Sequence, residues 1–224
     1  MIRTAIATLI LLLPAVAQAR PVVVELFTSE ACSSCPPADA LLRQLKGTEA
    51  DLLPLDLHVT YWNGTGWIDP FSLSAATERQ QWYASLADSS EVYTPEAVVD
   101  GRDQVIGSDR RALLSAIASL RSEAASAVPI TIAATGDEVQ ITVGSGSGSA
   151  RLWLFGFDDS HTTYVGGGEN RGATLREINV VRSMNSPGIW NGSPATFRLS
   201  RPRGTHLAVL LQQENGRILG ATAD

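Results

Sequence analysis

The stretch from Val22 to Asp39, VVVELFTSEACSSCPPAD, narrows the possible folds more than any other. Val22–Phe27 is apolar and β-branched, the composition of a buried strand. A small polar turn follows, then Cys32 and Cys35, the only cysteines in the chain. Pro36 and Pro37 come next. Proline is tolerated in a first helical turn because the N–H it lacks has no helical partner there. ADALLRQLKG then carries Leu41, Leu42 and Leu45 at helical spacing and stops at Gly47. The cysteines therefore sit between a strand and a helix start, where unpaired N–H groups and the helix dipole stabilise a thiolate. Only the thiolate attacks a disulfide. This geometry predicts Cys32 as an exposed attacker and Cys35, one turn on, as the buried resolver.

The next segments extend the pattern. LLPLDLHVTYW reads as a second strand, so strand, helix and strand make a right-handed parallel unit. Ser72–Leu86 reads as a helix with Ala76, Trp82, Tyr83 and Leu86 as apolar positions. Asp100-Gly101 is a hairpin-turn signal between Ala97-Val98-Val99 and Gln104-Val105-Ile106. SDRRALLSAIASLRSEA opens on a Ser/Asp cap and places Leu113, Leu114, Ile117 and Leu120 on one face. The order is β-α-β-α-β-β-α. Beyond Val128-Pro129, short strand-like runs alternate with Gly, Ser, Asn and Asp. Strands are predicted at Ile130–Ala133, Val139–Val143, Ala150–Phe157, Leu175–Val181, Ala195–Leu199, His206–Gln212 and Ile218–Ala221, a β-sandwich pattern. GSGSGS at Gly144–Ser149 reads as a hairpin loop. The expected domains are residues 20–127, mixed α/β, and residues 128–224, all-β.

Residues 1–19, MIRTAIATLILLLPAVAQA, have the layout of a secretory signal peptide. Arg3 precedes an apolar run from Ala5 to Leu13, and Ala17-Gln18-Ala19 gives a cleavage site. The run is too short to span a bilayer, so no stable membrane anchor is expected after cleavage. The signal implies a periplasmic or secreted protein in an oxidising space, where disulfides persist. The chain has 17 basic and 23 acidic residues, and loss of Arg3 leaves 16 basic, a net charge near −7. A nucleic-acid partner would need a basic face, which this balance argues against.

The motifs also carry a resemblance. Strand, CSSC and helix, with Tyr93-Thr94-Pro95 ahead of AVVDGR, resemble the thioredoxin fold, in which a cis proline faces the cysteine pair. More specifically, ELFTSEACSSCPPAD, HVTYWNGTGWIDPF, RQQWYA, VYTPEAVVDG and GENRGATLREINVVR resemble a family of bacterial secreted proteins carrying only a domain-of-unknown-function label and described as thioredoxin-like. The resemblance implies an α/β thioredoxin-like domain followed by a smaller all-β, β-sandwich-like domain. It implies a cis Pro95 and a substrate chain held by Thr94 and Pro95. Cys32 and Cys35 would then act as catalytic thiols on protein thiols or disulfides, with no cofactor. Thioredoxins usually carry Trp before the first cysteine, Gly-Pro between the two, and a buried acid six residues upstream. Here those places hold Ala31, Ser33-Ser34 and Leu26.

Glu25 is the nearest acid to that last position. Strand alternation points it to the opposite face unless a bulge shifts the register, so it is either the proton carrier or a partnered structural residue. Glu30 would oppose a Cys32 thiolate if it lay close. His58 with Cys32 and Cys35 would make a three-ligand copper(I) or zinc site, although a structural role suits a lone His better. Tyr61, Trp62 and Trp67 either line a groove beside the cysteines or pack under the helix with Trp82 and Tyr83. GGGENRG at Gly166–Gly172 lacks a following helix and is no dinucleotide fingerprint; Glu169, Asn170 and Arg171 are candidates to pin that loop to the first domain. Three functions follow: thiol–disulfide exchange, a scaffold whose disulfide is a permanent staple, or copper(I) delivery.

Overall fold

The computed structural model describes residues 19–125 and 127–224. All of the expected leader except Ala19 lies outside them. The apolar β-branched run forms β1 (Val22–Thr28), every residue of it buried. Helix α1 (Pro36–Thr48) begins at the proline pair with Cys35 as its N-cap. Strand β2 (Leu52–His58) pairs in parallel with β1 from Val22–Leu52 to Thr28–His58 without a break. Helix α2 (Ser74–Leu86) follows. Strands β3 (Glu96–Val99) and β4 (Asp103–Ile106) form the expected hairpin, with Asp100 at φ 49° and Gly101 at φ 67°. Both central residues take the left-handed conformation that such a tight turn requires. Helix α3 (Arg110–Ala124) is capped by the Asp109 side chain, which accepts from the Ala112 N–H at 3.0 Å.

Seven strands complete the chain: β5 (Ile130–Thr135), β6 (Glu138–Val143), β7 (Ala150–Tyr164), β8 (Thr174–Trp190), β9 (Ala195–Ser200), β10 (His206–Gln212) and β11 (Ile218–Ala223). They overturn the expected fold class. They do not form a sandwich that follows a self-contained thioredoxin-like α/β unit. Strand β8 pairs in parallel with β2 at Asp56–Val180, and one mixed sheet runs β11-β10-β7-β8-β2-β1-β3-β4. A smaller sheet holds β5, β6 and β9. With three helices against eleven strands among the described residues, the protein is mostly β.

Two physical features hid this arrangement from sequence reasoning. Strands β7 and β8 are 15 and 17 residues long, and β7 turns polar partway along, at Asp158-Asp159-Ser160-His161. Polar, half-exposed strand residues resemble loop. The open edge of β2 also needs a hydrogen-bonding neighbour, and the sequence does not say which strand supplies it. Gly144–Ser149 is likewise not a hairpin loop: β6 pairs with β5 and β9, while β7 pairs with β8 and β10, so the segment crosses from the small sheet to the large one.

Three apolar clusters hold the layers. Val22, Val24 and Leu26 of β1 face α1 and α3 through Leu41, Leu42, Leu45, Leu113 and Ile117. Val23 and Phe27 face α2, with Tyr83, Phe155 and Leu210. Ile141, Trp190, Leu207, Val209 and Leu211 join the small sheet to the end of the large one. Buried Arg20 ties β11 to the β3–β4 turn, pairing with Asp100 at 2.8 Å and donating to the Ile218 carbonyl at 3.0 Å.

Candidate functional site

Strand β1 delivers the chain into two successive turns. The Cys32 N–H donates to the Ser29 carbonyl at 3.1 Å and the Cys35 N–H to the Cys32 carbonyl at 3.2 Å. The Cys35 carbonyl then accepts from the Ala38 and Asp39 N–H groups, which starts α1. Cys32 and Cys35 form a disulfide. Thr94-Pro95 is cis, as the resemblance implied. The Thr94 hydroxyl donates to Cys32 Sγ at 3.3 Å and accepts from Trp62 Nε1 at 2.8 Å. Ser34 Oγ lies 3.3 Å from the same sulfur. Residues distant in sequence thus converge on Cys32.

Cys32 is not exposed: both cysteines have 0% accessible surface. The expected exposed attacker is covered by residues from the β7–β8 hairpin. Asn170 Nδ2 donates to the Glu30 and Cys32 carbonyls, each at 2.9 Å. Glu169 accepts from the Ser33 N–H at 3.1 Å and the Ser33 hydroxyl at 2.7 Å. Two of the three residues expected to pin the Gly166–Gly172 loop therefore do so, and they pin it onto the cysteine turn itself.

Beneath the turn lies a polar network that sequence reasoning missed. Asp69 accepts from the Glu30 N–H at 2.8 Å, Ser29 Oγ at 3.2 Å and the Phe71 N–H at 2.9 Å, and it meets His58 Nδ1 at 2.7 Å. Burial opposes protonation of His58, but Asp69 and Asp56 outweigh it and hold the imidazole well above its ordinary pKa. Burial also pushes Asp69 up, yet His58 prevails and the carboxyl falls below its usual range. Burial raises Asp56, and burial with the Asp56 charge raises Asp39. Burial carries Glu177 to about 9. The usable signal was an acid inside an apolar strand, as at Asp56 in LLPLDLH.

Glu25 lies elsewhere. No bulge shifts β1, so Glu25 points to the α2 side, opposite Leu26 and α1. It pairs with Arg79 through both oxygens and accepts from the Tyr83 hydroxyl at 2.6 Å. It is the partnered structural residue of the two alternatives. Burial pushes the Glu30 carboxyl up, and Glu30 accepts from Trp67 Nε1 at 2.8 Å. His58 is committed to Asp69, with Nε2 turned to Asp56 at 3.8 Å. Among the described residues no group of three or more His, Cys, Asp or Glu is arranged to hold a metal ion. Of the aromatics, Trp62 packs on the α2-side core, Trp67 supports the cysteine turn, and Tyr61 donates to Gln80 at 3.1 Å.

Fold and site together define a mixed-sheet protein with a covered C-x-x-C disulfide beside a cis proline. The chain belongs to the DUF1223 family, described as a protein of unknown function, which it matches over residues 23–212. It is similar to the crystal structure of protein AGR_C_4864 from Agrobacterium tumefaciens, with 35% identity over 92% of this chain and 94% of that one and a TM-score of 0.79. HBP35 of Porphyromonas gingivalis shares the fold at 13% identity, over 92% of this chain and 75% of that one, with a TM-score of 0.59. No curated protein matches the chain.

Proposed function

We propose that the protein is a secreted or periplasmic thiol–disulfide oxidoreductase that exchanges disulfides with partner proteins through Cys32 and Cys35. The observation that carries this reading is the Thr94 hydroxyl, 3.3 Å from Cys32 Sγ and directly before Pro95. A staple needs no such partner from a distant loop. The helix start supports it too, because the N-terminus of α1 stabilises the thiolate that exchange requires. Kinship with thioredoxins is proposed on this local arrangement and not on the overall architecture. Cys32 is the attacker, Cys35 the resolver, and Thr94 with Pro95 holds the partner's chain.

The decisive experiment replaces Cys35 with Ala. Cys32 should then retain partner proteins as mixed disulfides, resolved by mass spectrometry. Repeated failure to capture a partner, with a pair that stays oxidised in glutathione buffers, would refute exchange. The complete burial of both sulfurs favours a second reading, a scaffold with a permanent staple. A Cys32/Cys35 double variant that folds and keeps its cellular role would favour that reading.

A further inference from the structure

We propose that the β7–β8 hairpin tip, residues 165–172, is a latch over the disulfide, and that Asn170 decides whether a thiol reaches it. This rests on the exchange reading and adds the element that sets its specificity. The tip closes on itself through the Val165 N–H to the Ala173 carbonyl at 2.9 Å and the Gly172 N–H to the Val165 carbonyl at 2.8 Å. Val165 is buried and anchors it. Beyond that anchor the tip is mostly glycine and meets its seat through backbone. A Cβ on Gly167 would lie 2.1 Å from the Gly66 carbonyl oxygen, and one on Gly168 would lie 3.2 Å from Trp67 Cβ and 3.7 Å from Ala31 Cβ.

The tip lies with its glycine backbone against the Trp67 ring and brings no apolar side chain of its own beyond Val165. Its hold is polar: two Asn170 bonds to the cysteine turn and two exposed Glu169 bonds to Ser33. Segments with few apolar contacts open locally without global unfolding. The tip can therefore lift while β7 and β8 stay paired below Tyr164–Thr174. With it closed, neither sulfur is accessible. With it lifted, an incoming thiolate attacks Cys32 Sγ, the Cys32–Cys35 bond breaks, and Cys35 leaves with the electron pair and takes a proton. A second thiol on the same reductant then displaces Cys32, leaving two reduced cysteines and an oxidised dithiol.

The test is the rate of native-state reduction by dithiothreitol, followed by alkylation and mass spectrometry of the full protein. The folded wild type should react at least about a hundredfold more slowly than the urea-unfolded protein. Each hydrogen bond contributes about a factor of five, so Asn170→Ala should accelerate reduction about 25-fold. Gly167→Ala should accelerate it by at least about tenfold, because the backbone clash displaces the tip. Gly136→Ala, a turn substitution in the β5–β6 hairpin, should leave the rate unchanged. The latch is overturned if the folded wild type reacts as fast as the unfolded chain. It is equally overturned if both tip variants match the wild type, or if Gly136→Ala accelerates as much as they do. Faster reduction of the tip variants by dithiothreitol, with no partner trapped by Cys35→Ala and a wild-type pair that stays oxidised in glutathione buffers, would keep the latch and refute the exchange reading.

Discussion

Glu25 and Arg79 form a buried pair whose removal tests the structural role of Glu25. Their side chains are 0% and 1% exposed. Arg79 also donates to the Tyr83 hydroxyl and the Gln212 side-chain carbonyl, each at 2.9 Å, and sits 5.0 Å from the Trp153 ring and 5.8 Å from Trp82. Glu25→Gln strips the counter-charge and turns an N–H toward the guanidinium. Removing one partner of a buried pair costs about 3–5 kcal/mol, a large part of the roughly 5–15 kcal/mol that holds a domain together. Arg79→Met should cost a similar amount near neutral pH. The double variant should cost at least about 2 kcal/mol less than the two singles added, because neither charge is then stranded. Urea unfolding read by tryptophan fluorescence measures all three, with Trp82 and Trp153 beside the pair. A Glu25→Gln variant within about 0.5 kcal/mol of wild type, or strictly additive singles, would refute the argument. If Glu25 is only structural, Glu25→Gln leaves the pH profile of disulfide exchange unchanged.

Glu177, held at about 9 against an ordinary 4.5, stays protonated in the folded protein at neutral pH. Its contribution is fully present below pH 4.5 and is lost as pH rises toward 9, so Glu177→Gln should match wild type in acid and exceed it by up to about 3 kcal/mol at pH 7. Urea midpoints at pH 4 and pH 7 check this, and an equal difference at both would contradict it. Gly101→Ala should cost about 2–4 kcal/mol by thermal or urea unfolding, since a Cβ there would lie 2.0 Å from the Gly216 carbonyl oxygen at φ 67°. Copper(I) titration of the reduced protein should show no stoichiometric site involving His58, whose ring is held by Asp69.

Local chemistry was legible in the sequence. The strand before Cys32, the proline-led helix after Cys35, the Asp109 cap and the Asp100-Gly101 turn each depend on residues within a few positions of one another. Backbone sterics and hydrogen bonding act at that range. Strand alternation also assigned Glu25 to the face away from α1. The long-range pairings were not legible. Asp56 meets Val180 across the sheet, Asn170 covers Cys32, and Arg79 neutralises Glu25, and no local preference encodes such partners. The sequence by itself determined that two cysteines would sit at a helix start, and the proline opposite them was implied by resemblance alone. Only the tertiary structure decided that Cys32 would be buried as well as Cys35, because the residues that cover it come from a hairpin more than a hundred positions away. That hairpin is formed by β7 and β8, and β8 pairs with β2 beside the cysteine turn's own strand.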